Sequence, residues 1–393
     1  MTAHSTKPLP EALRQLVGQR VDSIDTPALV IDFDAMDRNL TRMAAFAKKH
    51  DLRWRPHAKM HKSAAIARLQ VQAGAVGVCV QKTAEAEAMA AGGVKDIFIT
   101  NEVIAPAKLR RVAALAHALA ADNGRLGIAV DSLEGITRLA DALVGGGAPV
   151  IDVYVEIDVG QHRCGVQPGQ AAVALAQAIT KHSTMRFAGL QAYHGRAQHM
   201  RSAQERREAI AVAAQDASFT RSLIEEAGIP VDLITGAGTG TMLLEAASGI
   251  YGELQAGSFL FMDADYALNE RDPAQPQFEH ALFIKSQVIG THATHAVCDA
   301  GHKSHAIDSG LPKVHALEPD LALEYGNGGD EHGLLRVAAA GHRLPAIGRF
   351  IWLIPGHCDP TVNLHDFMIG VRGGLVSGTV EKIVRVDARG ALT

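Results

Sequence analysis

The chain has 393 residues, and 38 Lys and Arg against 42 Asp and Glu leave a formal net charge of −4. That near-neutral balance excludes the basic excess of a nucleic-acid binder, and no apolar run reaches the roughly 20 residues that a membrane helix needs. Four cysteines in so long a chain make no disulfide framework. With no apolar leader at the N-terminus, the expected setting is the cytoplasm, with Cys79, Cys164, Cys298 and Cys358 as reduced thiols.

Residues 1–25 read as an N-terminal extension, and residues 26–272 as a domain in which short apolar runs alternate with helical ones. The apolar runs fall at 28–33, 52–57, 76–81, 96–101, 125–130, 150–158, 185–193, 231–236 and 253–261. Between them lie helix-type stretches such as 82–93 and 202–228, several ending in Gly as helices commonly do. This rhythm predicts parallel β/α topology. Eight of the nine runs would close a TIM-type (β/α)8 barrel, leaving one over. A doubly wound sheet is the alternative, but no GxGxxG follows the first run. From 273 to 393 the texture becomes β-rich (ALFIKSQVIGTH, HAVCDAG, RLPAIGRFIWLIPGH, GLVSGTVEKIVRVDARG), which predicts a C-terminal antiparallel β domain. The first run is free to pack with either domain, and YGNGGDEHG at 325–333 reads as a loop. Aromatics are only 5% of the chain, so the core should be aliphatic.

In such a barrel, functional groups gather where strands end. The second run ends in RPHAKMHK, which puts Lys59 at the mouth, where its amine could form a Schiff base. On spacing alone a solvated basic patch fits better. The eighth run ends in GAGTG (236–240) and the ninth contains Gly257 and Ser258. Exposed amides at such turns bind anions, and late barrel loops commonly hold a phosphate. Arg163, after the sixth run, could hold a carboxylate in a bidentate fork, or pair with Glu156 or Asp158.

The 19 histidines make a metal or acid/base site worth seeking. In PGHCDP, His357 and Asp359 are two apart, so in an extended segment both point to one side. Imidazole plus carboxylate suits a divalent ion such as Mn²⁺, Mg²⁺ or Zn²⁺ and leaves positions for substrate and water. His194, His199, Asp330, Glu331, His332, His365 and Asp366 are further polar candidates, and structural hydrogen bonding accounts for most such residues.

DTPALVIDFDAMDRN with RPHAKMHKS resembles the fold-type III pyridoxal-phosphate enzymes, in the D-threonine aldolase and D-serine dehydratase branch. VEIDVGQHRCGV, GLQAYHGRAQHM, GAGTGT, GIYGELQAGSFLFMDADY, DAGHKSHAIDSGLP and PGHCDPTVNLHD carry the likeness on, and it is greatest to the bacterial D-threonine and 3-hydroxy-D-aspartate aldolases. The resemblance implies an alanine-racemase-type barrel and a homodimer. It makes Lys59 the Schiff-base lysine, and Thr239, Gly257 and Ser258, with Gly238, the phosphate contacts. Gln81, Tyr193 and Tyr266 become further cofactor contacts, with the Tyr193 hydroxyl at the pyridine nitrogen. It makes His357 and Asp359 ligands of Mn²⁺ or Mg²⁺. The dehydratase branch carries His-x-Cys there, so Asp359 favours the aldolase side.

The expected activity is cleavage of a D-3-hydroxy amino acid, of D-threonine or 3-hydroxy-D-aspartate type, to glycine and an aldehyde. The ion would acidify the β-hydroxyl and either His199 or His194 would take its proton. Arg163 would hold the substrate carboxylate or a cofactor oxygen. The alternatives are dehydration of D-serine or 3-hydroxyaspartate, a non-catalytic pyridoxal-phosphate-binding protein, and a metal-only hydrolase.

Overall fold

A computed structural model describes residues 8–317 and 321–393. All nine apolar runs become strands: β1 (Ala28–Asp32), β2 (Arg53–Trp54), β3 (Val78–Val80), β4 (Asp96–Ile99), β5 (Arg125–Val130), β6 (Ile151–Glu156), β7 (Met185–Ala192), β8 (Leu233–Gly236) and β9 (Glu253–Leu254). The last eight form one parallel sheet in the order β2-β9-β8-β7-β6-β5-β4-β3. The ring closes where Val76 N donates to Trp54 O and Cys79 N to Pro56 O, both beside the isolated bridge His57–Cys79. Helices cover it outside, packing Ile136, Leu139, Val173 and Ala217 onto strand residues such as Ile128 and Val153. Phe98 and Tyr154 fill the lumen with ring centroids 4.5 Å apart.

The strand left over is β1. It pairs antiparallel with β10 (Leu282–Thr291) and parallel with β16 (Phe367–Arg372), so it lies in the second sheet. Asp32 ends it and starts the helix Phe33–Lys49, its carboxylate accepting from Asp34 N and Ala35 N. This is the N-cap arrangement that lets a strand turn directly into a helix. The second sheet has nine strands, completed by β11 (Ala296–Cys298), β12 (Lys313–Val314), β13 (Leu323–Asn327), β14 (Gly333–Val337), β15 (Phe350–Ile354) and β17 (Thr379–Arg385). Every pair in it is antiparallel except β1 with β16.

The expected loop at 325–333 is in fact the hairpin between β13 and β14, and only 328–332 lies outside both strands. The stretch FMIGVR escapes the sequence reading but becomes β16. Among the described residues no helix is long and apolar enough to cross a membrane.

Two segments outside the barrel strands are tied down. Residues 21–24 pack on the second sheet through Val21 and Ile24, and the buried Lys285 Nζ donates to the carbonyls of Val21, Asp22 and Ile24 at 3.0, 3.2 and 2.6 Å. Ala388 and Ala391 return to the barrel core, where Ala388 N donates to Lys62 O.

Gly189 shows how closely the barrel strands are fitted. Its φ is +136°, and a Cβ there would lie 1.8 Å from Leu233 O on β8. Gly189→Ala is expected to cost about 2 kcal/mol or more, because both backbone strain and overlap oppose it. Chemical denaturation of wild type and variant measures this. A loss below about 0.5 kcal/mol, the scatter of neutral substitutions, would mean that β7 relaxes around the methyl group.

Candidate active site

The turn Ala58–Met60 follows β2, capped by His57, whose Nδ1 lies 3.3 Å from Lys59 N. It lifts Lys59 into the barrel mouth, with the side chain 43% exposed and Nζ 3.4 Å from Asp359 Oδ2. Asp359 holds the ammonium pKa above its ordinary value, against burial and the positive charge of Arg163. Lys62 is differently placed: its buried Nζ lies 3.1 Å from Glu85 Oε1 and donates to Ala388 O. Glu85 Oε2 meanwhile accepts from Gln81 N and Lys82 N at 2.9 and 3.2 Å. Lys62 is therefore spent on structure, and Lys59 is the amine facing the mouth.

The neighbouring strand ends complete the rim. Gln81 follows β3, and its Nε2 lies 3.1 Å from both His57 Nε2 and Thr100 Oγ1. Burial pushes His57 well below the ordinary imidazole value and His61 down to about 4, so both rings are neutral beside Lys59. Tyr193 follows β7 and feels the charges of Lys59 and Arg163, while burial holds its pKa up. Tyr266 is hydrogen-bonded to Ser258 and is likewise raised by burial. Arg163 sits on a loop pinned by the Ile157–Val166 bridge and by Gly165 N on Asp131. Of its two alternative partners, Asp158 is occupied by His162, whose Nδ1 lies at 2.9 Å, while burial raises the Glu156 carboxyl pKa and the Arg163 charge opposes it.

The two glycine-rich segments join through Thr239, whose Oγ1 accepts from Phe259 N at 2.9 Å. The amides of Gly238, Thr239 and Ser258 take no backbone acceptor among the described residues, which is what a phosphate would need. Gly240 N is already used, donating to Gln198 Oε1 at 2.9 Å. Gln198 Nε2 donates to Thr241 Oγ1, which donates to Glu245 Oε1 at 2.7 Å. This buried chain supports the loop from below. It also explains the glycines: a Cβ at Gly238 would lie 2.4 Å from Gln198 Oε1, and one at Gly257 2.8 Å from His57 O. The His57 backbone therefore demands glycine at 257, whereas a side chain at 238 would have to displace the Gln198 amide.

His357 and Asp359 are not on an extended segment, contrary to the sequence reading. His357 is the N-cap of the helix Cys358–Val362 and Asp359 is in its first turn. The turn nevertheless brings His357 Nε2 to 3.8 Å from Asp359 Oδ1. That oxygen is buried and has no hydrogen-bond partner, an orphan that a divalent cation would satisfy. Among the described residues no third His, Cys, Asp or Glu atom closes a three-ligand cluster around this pair, so other positions stay open for substrate and water. The other face of His357 meets Asp308, with Nδ1 2.7 Å from Oδ2. Burial opposes protonation of His357, but Asp359 and Asp308 outweigh it and raise its pKa. Asp263 locks the turn, its two oxygens accepting from Tyr266 N and Cys358 N at 3.0 and 3.1 Å.

Asp308 and Asp263 carry no sequence pattern that singles them out. Nor do Glu102 and Asp131, which with Cys164 form a compact acidic group in the mouth.

The two candidate bases separate clearly. His199 is 49% exposed, with Nδ1 2.7 Å from Asp265 Oδ2 and its ring 5.8 Å from that of Tyr266. Arg201 binds the same carboxylate. His194 is 5% exposed. It caps the turn Gly195–His199, and burial lowers its pKa. Of the remaining polar candidates, His365 is spent on Ser304 O, Asp366 on Arg389 and Asp330 on His302.

Glu245 provides a test of the loop's support. Burial raises its carboxyl from 4.5 to about 7. The folded protein therefore binds a proton that the unfolded chain has lost, and stability falls as pH rises through that window. Glu245→Gln removes this dependence. The melting temperature of the variant minus that of wild type should climb from pH 5 to pH 8, and a flat difference would place the Glu245 titration elsewhere.

A family model described as "Alanine racemase, N-terminal domain" matches residues 31–265, and a serine dehydratase domain model matches residues 281–371. The chain is 43% identical over 374 residues to the D-threonine aldolase of Arthrobacter sp., covering 95% of both chains. It is 40% identical over 381 residues to the 3-hydroxy-D-aspartate aldolase of Paracoccus denitrificans strain Pd 1222, again covering 95% of both. The crystal structure of D-threonine aldolase from Filomicrobium marinum superposes with a TM-score of 0.90 at 43% identity, over 96% of this chain and 99% of that one. With a closed eight-stranded barrel, a lysine at its mouth and a second sheet supplying His357 and Asp359, the chain belongs to the alanine racemase N-terminal domain family, in the branch it shares with D-threonine aldolase and 3-hydroxy-D-aspartate aldolase.

Proposed function

We propose that the protein is a pyridoxal-phosphate- and divalent-metal-dependent aldolase, cleaving D-3-hydroxy amino acids of D-threonine or 3-hydroxy-D-aspartate type to glycine and an aldehyde. The observation that carries this is the 3.4 Å approach of Lys59 Nζ to Asp359 Oδ2. The amine that would hold the cofactor and the carboxylate that would hold the ion share one corner of the mouth, so both can act on adjacent carbons of one substrate.

Lys59 would carry the cofactor covalently. The amides of Gly238, Thr239 and Ser258 would cradle its phosphate, and Gln81, Tyr193 and Tyr266 would border its ring. Bound there, pyridoxal phosphate supplies an electron sink for the carbanion left at Cα. His357 and Asp359 would hold Mn²⁺ or Mg²⁺, which lowers the pKa of a coordinated hydroxyl. His199 is the base of choice. Asp265 fixes its Nδ1, leaving Nε2 to take the β-hydroxyl proton before the Cα–Cβ bond breaks, whereas His194 is buried and tied to its own turn. Arg163 is placed to bind a carboxylate or a cofactor oxygen. The protein would act as a homodimer in the cytoplasm, in keeping with its four free thiols.

The serine dehydratase domain match at residues 281–371 keeps dehydration of D-serine or 3-hydroxyaspartate as the second reading. Products decide. With Mn²⁺, pyridoxal phosphate and D-threonine or D-3-hydroxyaspartate, glycine and an aldehyde are expected. An oxoacid with ammonia would reassign the enzyme as a dehydratase.

Two experiments separate the halves of the chemistry. After borohydride treatment of the cofactor-loaded protein, peptide mapping should find the label on Lys59. A label on Lys62 would contradict the assignment. Asp359→Ala, or EDTA on the wild type, should lower cleavage by at least about a hundredfold, the scale on which metal polarisation contributes, while Lys59 is still labelled. Restored Mn²⁺ should rescue the chelated wild type but not the variant.

A further inference from the structure

We propose that Asp308 is a positioning residue for the metal: its carboxylate holds the Nδ1 proton of His357 and thereby presents Nε2, as a bare lone pair, toward Asp359. This rests on the reading that His357 and Asp359 hold the ion. A histidine ligand binds through one ring nitrogen, and the partner of the other nitrogen sets its tautomer, orientation and basicity. Here that partner is a carboxylate 2.7 Å from Nδ1, with Ser309 Oγ beside it, 3.1 Å from Asp308 Oδ2 and 3.4 Å from Nδ1. Asp359 lies on the opposite side of the ring, with Oδ1 3.8 Å from Nε2.

The contact is built rather than incidental. Thr361 Oγ1 donates to His357 O at 2.7 Å and accepts from Ala306 N at 3.1 Å, tying the Asp308 loop to the ligand turn. The same loop comes so close that a Cβ on Gly356 would lie 2.2 Å from Gly310 O. Asp308 is 49% exposed, and an exposed ion pair of this kind contributes little to stability. Its orientation toward one ring nitrogen of a half-buried histidine is therefore the feature that calls for a role. Asp308 is not itself placed to be a ligand, because it sits on the Nδ1 side of the ring, while Asp359 faces Nε2.

The test uses the cofactor-loaded protein stripped of metal by chelation, with free Mn²⁺ followed by electron paramagnetic resonance. Asp308→Ala should weaken Mn²⁺ binding by about 10–100-fold, the range for loss of such an outer partner. Asp308→Asn, which keeps an acceptor but not the charge, should fall between. Cofactor absorbance and melting temperature should not move in either. If Asp308→Ala perturbs folding, Asp308→Asn carries the test through a smaller loss in the same direction. Mn²⁺ affinity within twofold of wild type in both variants would overturn the proposal. So would complete loss of binding in both, equal to that of His357→Ala, since Asp308 would then be a ligand. Unaltered binding in Asp359→Ala would instead remove the metal reading itself, and the proposal with it.

Discussion

Everything at the barrel mouth hangs on one contact between two backbones. Residues 262–266 leave the last barrel strand, and residues 355–358 leave the second sheet. Ala264 N donates to Pro355 O, Asp265 N to Gly356 O, and Cys358 Sγ to Met262 O. Asp263, fully buried, holds one amide from each side. A buried carboxylate cannot give up such donors without leaving unsatisfied charge and unsatisfied amides together, so the two segments are locked in register. From this strut project Tyr266, toward Ser258, and Asp265, which orients His199. On its other side stand His357 and Asp359. The cofactor-side and metal-side groups therefore share one rigid support, although they belong to different domains.

Burial sorts residues of the same type into different jobs. Two lysines lie three positions apart: Lys62, enclosed with Glu85, braces the turn, while Lys59 keeps access to the mouth. His57 and His61 are neutral because desolvation penalises their charged forms. They can therefore line the Lys59 turn without adding positive charge beside its ammonium. His357 instead stands between two carboxylates, Asp308 at Nδ1 and Asp359 near Nε2. The glycines of the cofactor loops follow the same economy of space, since Gln198 and His57 O already fill the volume a side chain would need.

The barrel was legible because its cue is local: apolar runs alternating with amphipathic ones announce β/α units wherever they occur. The strand β1 was legible as a strand, and packing with the C-terminal domain as one option for it, but not its pairing with β10 and β16, which lie far along the chain. FMIGVR is short and directly follows His365-Asp366, whose polar side chains draw the eye to a site rather than to a strand. Lys59 and the GAGTG loop could be picked out because each stands at the end of an apolar run, and Tyr193 through the family resemblance that GLQAYHGRAQHM carries. Asp263, Asp265 and Asp308 could not, because a single aspartate in a loop has no period and no spacing to betray it.

By itself, then, the sequence determined the order of elements, the rim on which functional groups would stand, and the residue types available there, all of which depend on near neighbours in the chain. Only the tertiary structure decided which lysine meets Asp359, which histidine is free to act, and which carboxylates orient them. The physical reason is range. Asp308 and His357 are 49 positions apart, and His199 and Asp265 are 66 apart. Interactions that fall off within a few ångströms are set by how segments far apart in the chain come together in the fold, which no local pattern records.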